Sequence, residues 1–307
     1  MIHEYILQPE EFQKDYVVWD KPKPSSAQQE KFCQELANTV EIEPDKAVLS
    51  AYKAAYSVTS KTDKVMLSEG LKIASTLKDY IDFLKLHDGR IMISPWDAKM
   101  LEKIKQNIQS HKLAADIVWP LGHIQYGNSE YAGTTDGSTG YMHFHEFHIN
   151  WEYSFDTFKS NKHTSDNVIS VTIKCKSLLD GLTLDFKNKN AIIYDLKTTQ
   201  KLWHFEDSME QYDYGRQLAY YKGAVWWYLK NECNEDPNNW RFKYYIIGID
   251  TTGSNEIRVF EIPETLIEDR DKIIFLAMMH IAWHQSTGKW DHSRSYYEGD
   301  GSETLNL

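Results

Sequence analysis

The segment AIIYDLKTTQ, residues 191–200, begins as an apolar strand and ends in charged and hydroxyl side chains. Residues i and i+2 of a strand lie on the same face, so Asp195 and Lys197 point the same way while Leu196 points the other way. Two interpretations are open. The pair is either a surface ion pair at a strand end, which stabilises little, or a metal ligand beside a catalytic cation.

A second carboxylate comes fifteen residues earlier, at Asp180 in IKCKSLLDGLTLDF, residues 173–186. The turn-like FKNKN, residues 186–190, follows it and predicts a hairpin that brings Asp180 and Asp195 onto neighbouring strands. Converging carboxylates repel each other unless one is protonated or a cation binds. Mg²⁺ is often held by one or two carboxylates together with phosphate and water, and Lys197 would stabilise charge on an attacking hydroxide or on the transition state.

The order Asp, then Asp-x-Lys at a strand end, is the pattern of the PD-(D/E)xK nuclease superfamily. The next predicted helix, in YDYGRQLAYYKGA at 212–224, carries Gln217 and Tyr221 four residues apart and therefore on one face. This pair resembles the Q-x-x-x-Y element that follows the D-x-K strand in RecB-type nucleases. Alone, the helix would be interpreted as an amphipathic helix with a half-buried Tyr; the combination is more specific.

The resemblance extends over nearly the full chain, to the phage and prophage exodeoxyribonuclease VIII (RecE-type) family. The matching segments are HEYILQPEEFQKDYVV (3–18), GRIMISPWDAKMLEKIKQNIQSH (89–111), HEFHINW (145–151), IKCKSLLD (173–180) and STGKWDH (286–292). Two positions depart from the family, because Leu179 replaces a Pro or small polar residue before the first Asp and Leu178 replaces an Arg.

The resemblance implies a metal and catalytic set. Asp180 and Asp195 would be ligands of Mg²⁺, for which Mn²⁺ would substitute, and the Leu196 carbonyl would be a further ligand. Lys197 would orient or activate the attacking water. His3 would match the metal-binding His of RecB-type members.

Further residues are assigned to the DNA or to the edge of the metal site. Gln217 and Tyr221 would line the site and contact the DNA end, and Thr198 would hydrogen-bond a phosphate. Glu146 and Glu152 precede the core, where they either reach the metal or are ordinary strand carboxylates. His143, His145 and His148 fall within six residues; two of them would share a strand face and could bind a transition metal, although nothing supplies a third ligand.

The composition is that of an ordinary globular chain, with 307 residues, 41% hydrophobic and 26% charged. We expect no membrane span and no signal peptide, and three scattered Cys favour a reducing cytoplasm over a disulfide framework. The net charge of −11 argues against a nucleic-acid binder at first sight. It leaves room for a nuclease, whose metal site is itself acidic and whose groove is only locally basic.

The predicted fold class is α/β, with a central mixed β-sheet flanked by helices, a PD-(D/E)xK (restriction-endonuclease-like) nuclease core and a helical N-terminal part. We expect the helical part at 1–118, packed on the core at 119–292, and a polar tail at 293–307, all as one compact unit. Strands are predicted at about 143–155, 168–176, 178–186 and 190–197, and long helices at about 206–230 and 264–286.

The sequence raises an expectation about the position of His3. The family has a few tens of residues and a helix before the matched His, whereas here two residues precede it. A helix that begins so close to a ligand leaves its first N–H groups without partners. We therefore expect His3 to be held loosely and a longer form to begin upstream, unless a partner subunit or another segment covers this end.

The resulting hypothesis is a Mg²⁺-dependent exonuclease that resects linear double-stranded DNA ends in phage-type recombination. The resemblance implies 5′-to-3′ digestion, a ring-shaped homo-oligomer, a RecT-type annealing partner and a phage or prophage gene expressed in the bacterial cytoplasm. One alternative is a RecB-like nuclease of a defence or adaptation system, against which the lack of a fourth Cys counts. The other is a weak or inactive DNA-binding module with a nuclease fold, which the intact Asp180, Asp195 and Lys197 disfavour.

Overall fold

The computed structural model describes residues 1–40, 43–56, 60–86, 89–120, 140–158 and 168–302. The chain divides into two compact units, of which the sheet unit comprises Met1–Glu11 with Met100–Leu307 and the helical unit comprises Phe12–Lys99. This division differs from the predicted boundary at 118, because the first helix and the segment after residue 100 belong with the sheet. The Gly- and Ser-rich loop expected after residue 120 lies outside the described residues.

The described residues form helices and strands that are numbered in chain order. The helices are α1 (Ile2–Leu7), α2 (Pro9–Asp15), α3 (Ala27–Asn38), α4 (Pro44–Ala55), α5 (Asp63–Thr76), α6 (Lys78–Lys85), α7 (Pro95–Ser110), α8 (Lys112–Val118), α9 (Phe205–Tyr212), α10 (Tyr214–Asn231), α11 (Glu264–Thr287) and α12 (Arg294–Glu298). The strands are β1 (Tyr16–Val18), β2 (Ile91–Ile93), β3 (Tyr141–Phe158), β4 (Val168–Asp185), β5 (Asn190–Thr199), β6 (Arg241–Asp250) and β7 (Ile257–Ile262).

The sheet unit is built on a mixed five-stranded sheet with the order β3-β4-β5-β6-β7. The pair β5–β6 is parallel and the other pairs are antiparallel. Helices α9 and α10 connect β5 to β6, since a parallel pair needs a crossover of this length. The prediction of an α/β fold with a mixed sheet flanked by helices is confirmed.

Both faces of the sheet are covered, which explains the nearly continuous apolar run of β5. One face packs against α10 and α11 through a core that includes Ile193, Leu218 and Ile274. The opposite face packs against α1, α7 and α8 and includes Tyr194 and Leu196. The alternation along β5 therefore directs Asp195 and Lys197 towards the α10 side of the strand.

Two predicted elements have different limits in the structure. The strands expected at 168–176 and 178–186 are one continuous strand, β4, which pairs with β3 along its whole length. The single helix expected at 206–230 is divided into α9 and α10 by Asp213, whose φ of 47° is left-handed. Left-handed residues commonly end helices, and the polar Asp tolerates this conformation better than most residues. The predicted polar tail also contains α12.

The β4–β5 hairpin has the predicted turn at 186–189, stabilised by one carboxylate. Asp185 accepts hydrogen bonds from the backbone N–H of Asn188 (2.9 Å) and from its side-chain amide (2.6 Å). Lys189 adopts a left-handed φ of 53°, after which β5 begins. This short connection fixes the register that brings Asp180 and Asp195 to adjacent positions.

The helical unit has a core of its own, centred on Phe32, Tyr52 and Ile81. Its strands β1 and β2 form a two-stranded parallel sheet. Helix α7 has a reciprocal cap, because the Asp97 N–H donates to Ser94 Oγ (3.1 Å) and the Ser94 N–H donates to Asp97 Oδ2 (3.1 Å). No helix in the described part of the chain is both long and apolar enough to span a bilayer.

Candidate active site

The candidate site lies at the point where β4 and β5 separate. Their antiparallel pairing ends at Gly181 and Tyr194, and the next pair in that register would be Asp180 and Asp195. Beyond it, β5 continues beside β6 and β4 continues beside β3. The prediction that the two aspartates occupy adjacent strands is confirmed.

Asp180 holds the backbone of the neighbouring strand in place of a ladder hydrogen bond. Its Oδ2 accepts a hydrogen bond from the Leu196 N–H at 2.6 Å. The same oxygen lies 3.3 Å from His3 Nε2, and that nitrogen also donates to the Leu196 carbonyl at 2.7 Å. His3 on α1 therefore bridges a carboxylate and a carbonyl oxygen, although its side chain is still 38% exposed.

Asp195 is the most buried carboxylate of the site, with 2% of its side chain exposed. The Lys197 ammonium contacts its Oδ2, as expected for residues that share a strand face. The ammonium also lies 5.0 Å from the ring centroid of Tyr214 at the start of α10, within the range of a cation–π contact. Lys197 therefore has two partners, the Asp195 carboxylate and the Tyr214 ring.

The predicted α10 pair reaches the site through its amide. Gln217 Nε2 donates to Asp195 Oδ1 (3.0 Å) and to the Tyr221 hydroxyl (2.7 Å). The Tyr221 side chain packs in the core with 9% exposure, and burial raises its pKa to about 12. Tyr221 is therefore a neutral residue that positions Gln217, while Gln217 itself faces Asp195.

Glu146 completes the site from β3. The β3–β4 register passes from His145–Gly181 to Phe147–Leu179, so that Glu146 and Asp180 are both omitted from the regular pairing. Glu146 has a left-handed φ of 48°, and such strain in a non-glycine residue is concentrated at functional sites.

Burial and mutual repulsion make these carboxylates unusually basic. Burial, followed by the charge of Asp180, raises the pKa of Asp195 to about 6, against the opposing effects of Lys197 and His3. The same two causes raise the pKa of Glu146 to about 7. The hydrogen bond to Asp180 raises the pKa of His3. The site thus gathers three carboxyl groups beside the two basic side chains of His3 and Lys197.

These residues fit a divalent cation that uses few protein ligands. Among the described residues, no group of three or more His, Cys, Asp or Glu side chains is arranged to hold a metal ion by itself. Mg²⁺, however, commonly takes only one or two carboxylates and completes its shell with water and substrate phosphate. The His3 N–H links the Asp180 carboxylate and the Leu196 carbonyl, two hard oxygen donors of the kind that Mg²⁺ prefers.

The positions of two residues that were assigned to the site, Thr198 and Glu152, give less support to those assignments. Thr198 is exposed, but the alternation of β5 places it on the face of Leu196 and opposite to Lys197, so the expected phosphate contact is not favoured by its orientation. Glu152 is exposed on β3 and lies opposite Lys174, where the interpretation as an ordinary strand carboxylate suffices.

Sequence reasoning missed Tyr214 and the conformation of Glu146. The signal for Tyr214 was its position, because it lies three residues before Gln217 and thus on the same face of α10. No comparable signal existed for Glu146, since a left-handed residue within a strand depends on the pairing around it.

The histidine pair of β3 makes contacts with three neighbouring elements. His143 Nδ1 lies 2.7 Å from Thr183 Oγ1, and His145 Nδ1 lies 3.0 Å from the Leu7 carbonyl. The two Nε2 atoms are 2.9 Å apart, and both lie within 3.0 Å of the Val118 carbonyl. These contacts connect β3 to α1 and α8.

The buried histidines predict acid sensitivity. Burial holds the pKa of His143 well below 6.5. Below about pH 6.5 the unfolded chain therefore binds a proton at this residue that the folded chain does not bind, and the free energy of unfolding falls as the pH drops. We expect His143→Gln to reduce this acid-dependent loss by about 1 kcal/mol per pH unit. Denaturant unfolding at several pH values measures the slope.

A matched control separates this effect from the carboxylates, whose raised pKa values act in the opposite direction. His148 is exposed on the same strand, and His148→Gln should retain the acid slope of the wild type. An unchanged slope in His143→Gln would contradict the assignment of His143 as a buried neutral histidine.

Comparison with known proteins does not assign the chain to a family. No protein-family model matches the chain, and no curated protein matches its sequence.

Proposed function

We propose that this chain is a Mg²⁺-dependent deoxyribonuclease with a PD-(D/E)xK core, and that it acts as an exonuclease on linear double-stranded DNA. The observation that carries the proposal is the convergence of Asp180, Asp195 and Lys197 at the separation of β4 and β5, with Gln217 bound to Asp195. The order of these residues along the chain and their placement on adjacent elements both match the sequence pattern.

Each residue has a role in phosphodiester hydrolysis. Asp180, Asp195 and the Leu196 carbonyl would hold Mg²⁺, which when bound polarises a phosphate oxygen and acidifies water. Lys197 places a positive charge where negative charge develops in the transition state. Gln217 holds the Asp195 carboxylate in one orientation. His3 holds the Leu196 carbonyl and the Asp180 carboxylate together, and Glu146 adds negative charge nearby.

The preference for DNA ends is the first test of this proposal. With Mg²⁺, we expect the wild type to degrade a linear duplex and to leave the same DNA intact as a closed circle, because the Gln217–Tyr221 element is typical of end-processing nucleases. Gel analysis of both topologies, with and without a chelator, measures the difference. Equal rates on both would favour an endonuclease and contradict the exonuclease proposal.

A DNA-binding assay and digestion of short linear and single-stranded substrates separate the alternatives. Binding of DNA ends without digestion would favour the inactive DNA-binding module. Digestion of short linear or single-stranded substrates alone would favour a RecB-like nuclease of a defence or adaptation system. Phage-type recombination, a ring-shaped homo-oligomer and a RecT-type annealing partner belong to the same proposal and rest on the sequence resemblance.

A further inference from the structure

A groove of about 420 Å³ opens between α10 and α11. Its lining includes Tyr212, Arg216, Gln217, Tyr220, Ile273 and Met278. The volume falls within the range of about 300–1,000 Å³ typical of small-molecule sites. Aromatic rings, an aliphatic wall and one arginine thus surround a space of suitable size for part of a nucleotide.

The groove is continuous with the candidate active site in two ways. Gln217 lines the groove and also donates to Asp195. A row of contacts also leads outwards from the catalytic cation, because Lys197 lies over the ring of Tyr214 (5.0 Å) and Tyr214 stacks on Tyr212 at 5.7 Å between centroids. A ligand in the groove would therefore lie beside the site of hydrolysis.

The outer end of this row is open. Tyr212 is 59% exposed, so much of its apolar ring surface is in contact with water and would be stabilised by burial. Its ring is inclined by 22° to that of Tyr214, so the stack can be extended by another flat group. A nucleobase is such a group, and stacking on an aromatic side chain is tolerant of sequence.

The charge of the groove also suits a nucleotide. Asp213 is the only carboxylate among the described lining residues, and it is paired with Arg270 on α11 (2.5 Å) and faces Arg216 at 3.8 Å. The Arg216 side chain remains 57% exposed. In a chain of net charge −11, an exposed guanidinium beside a neutralised carboxylate can donate hydrogen bonds to a phosphate.

We infer that this groove binds an unpaired nucleotide that adjoins the scissile phosphate, with its base stacked on Tyr212 and its phosphate facing Arg216. The inference rests on the proposed nuclease function and adds a requirement to it. The terminal base pair has to open before hydrolysis, because a stacked base in the groove cannot remain paired.

Steady-state digestion of a linear duplex tests the groove. We expect Tyr212→Ala to raise KM about tenfold, as loss of one stacked base would, with kcat nearly unchanged. Tyr212→Phe keeps the ring and should keep the KM of the wild type. Trp290 is a matched control, since it is 58% exposed and stacks on His284 instead, and Trp290→Ala should leave KM unchanged.

A binding assay tests the same groove without hydrolysis. Asp195→Asn protein would be mixed with a short duplex that carries 2-aminopurine as its terminal base, whose fluorescence changes when it leaves the duplex and stacks on a ring. We expect a change that is lost in Asp195→Asn/Tyr212→Ala and retained in Asp195→Asn/Tyr212→Phe.

The outcomes distinguish this inference from the proposed function. If the wild type digests DNA and Tyr212→Ala changes neither KM nor the fluorescence, the groove does not bind the nucleotide and the nuclease proposal stands. If the wild type digests no DNA, the nuclease proposal fails, and the fluorescence of the terminal base still decides whether the groove binds it.

Discussion

Asp195→Asn is expected to abolish DNA hydrolysis while raising the melting temperature of the metal-free protein. If Asp195 holds Mg²⁺ as we propose, its replacement should lower kcat by at least about a thousandfold, since a bound metal ion supplies several kcal/mol of transition-state stabilisation. The stability gain follows from burial, because the folded chain keeps Asp195 in a place that disfavours its charge. Digestion assays and thermal unfolding measure the two effects.

The sign of the stability effect follows from the pKa of Asp195, which rises from an ordinary 3.8 to about 6 in the folded chain. Between these values the folded state binds more protons than the unfolded state, so stability decreases as pH rises through this window and the full loss is present above about 6. An uncharged Asn removes this loss, so the metal-free Asp195→Asn protein should melt at a higher temperature than the wild type at neutral pH.

Asp250 provides a matched control with the opposite sign. Its carboxylate accepts hydrogen bonds from the side chains of Thr252 and Ser254 and from the Asn255 N–H. Burial alone would raise the pKa of this carboxyl, but the bonds from Ser254 and Thr252 hold it at about 2. Asp250→Asn should therefore lower the melting temperature and leave hydrolysis intact. A loss of activity in Asp250→Asn equal to that in Asp195→Asn would show that the assay reports folding.

Mg²⁺ should reduce the difference in stability between the wild type and Asp195→Asn. A ligand that binds only the folded state stabilises it by about 2.7 kcal/mol at one hundred times its Kd, so the wild type should gain melting temperature with Mg²⁺ while Asp195→Asn should not. A similar Mg²⁺ response in both proteins would contradict the assignment of Asp195 as a ligand.

The sequence predicted the sheet well because its strands are bounded by strong local signals. The turn at FKNKN and the apolar run of β5 are enough to place Asp180 and Asp195 on adjacent strands. The continuity of β4 was missed, because nothing in a local pattern shows that a strand continues across the point where its partner leaves. The left-handed Asp213 likewise divides a helix that has continuous helical periodicity.

The sequence predicted which residues form the candidate site, but it predicted only some of the contacts between them. Because residues i and i+2 of a strand share a face, the sequence alone places Lys197 beside Asp195. Because residues i and i+4 of a helix share a face, it also places Tyr221 beside Gln217. Whether Gln217 faces Asp195 depends on how α10 packs on β5, which no local pattern determines. The structure also shows a contact that the sequence did not predict, the hydrogen bond from Gln217 to the Tyr221 hydroxyl.

Gly181→Ala is expected to have the largest effect on stability, although it adds a single methyl group. Gly181 pairs with His145 on one side and Tyr194 on the other, and a Cβ at this position would overlap the ring of Tyr194. That ring is fully buried, so moving it would disturb the close packing around it. We expect a loss of about 3 kcal/mol, or a fall in melting temperature on the order of 10 °C, together with reduced hydrolysis because Asp180 is the next residue.

Gly89→Ala is the control for the loss of a glycine. A Cβ at Gly89 would meet no heavy atom within 4 Å, so this variant should be as stable as the wild type or slightly more stable, since alanine restricts the unfolded chain. Unchanged stability and activity in Gly181→Ala would mean that the Tyr194 ring does not cover Gly181.

A double-mutant cycle identifies the cause of the loss. Tyr194→Ala alone should destabilise by creating a cavity of the size of a ring. In Gly181→Ala/Tyr194→Ala the overlap is absent, so the double variant should be more stable than the sum of the two single losses predicts. If the two losses are additive, the Tyr194 ring is not the cause of the destabilisation by Gly181→Ala. The cause would then be a change in the backbone next to Asp180, and the orientation of the Asp180 carboxylate would depend on the glycine itself.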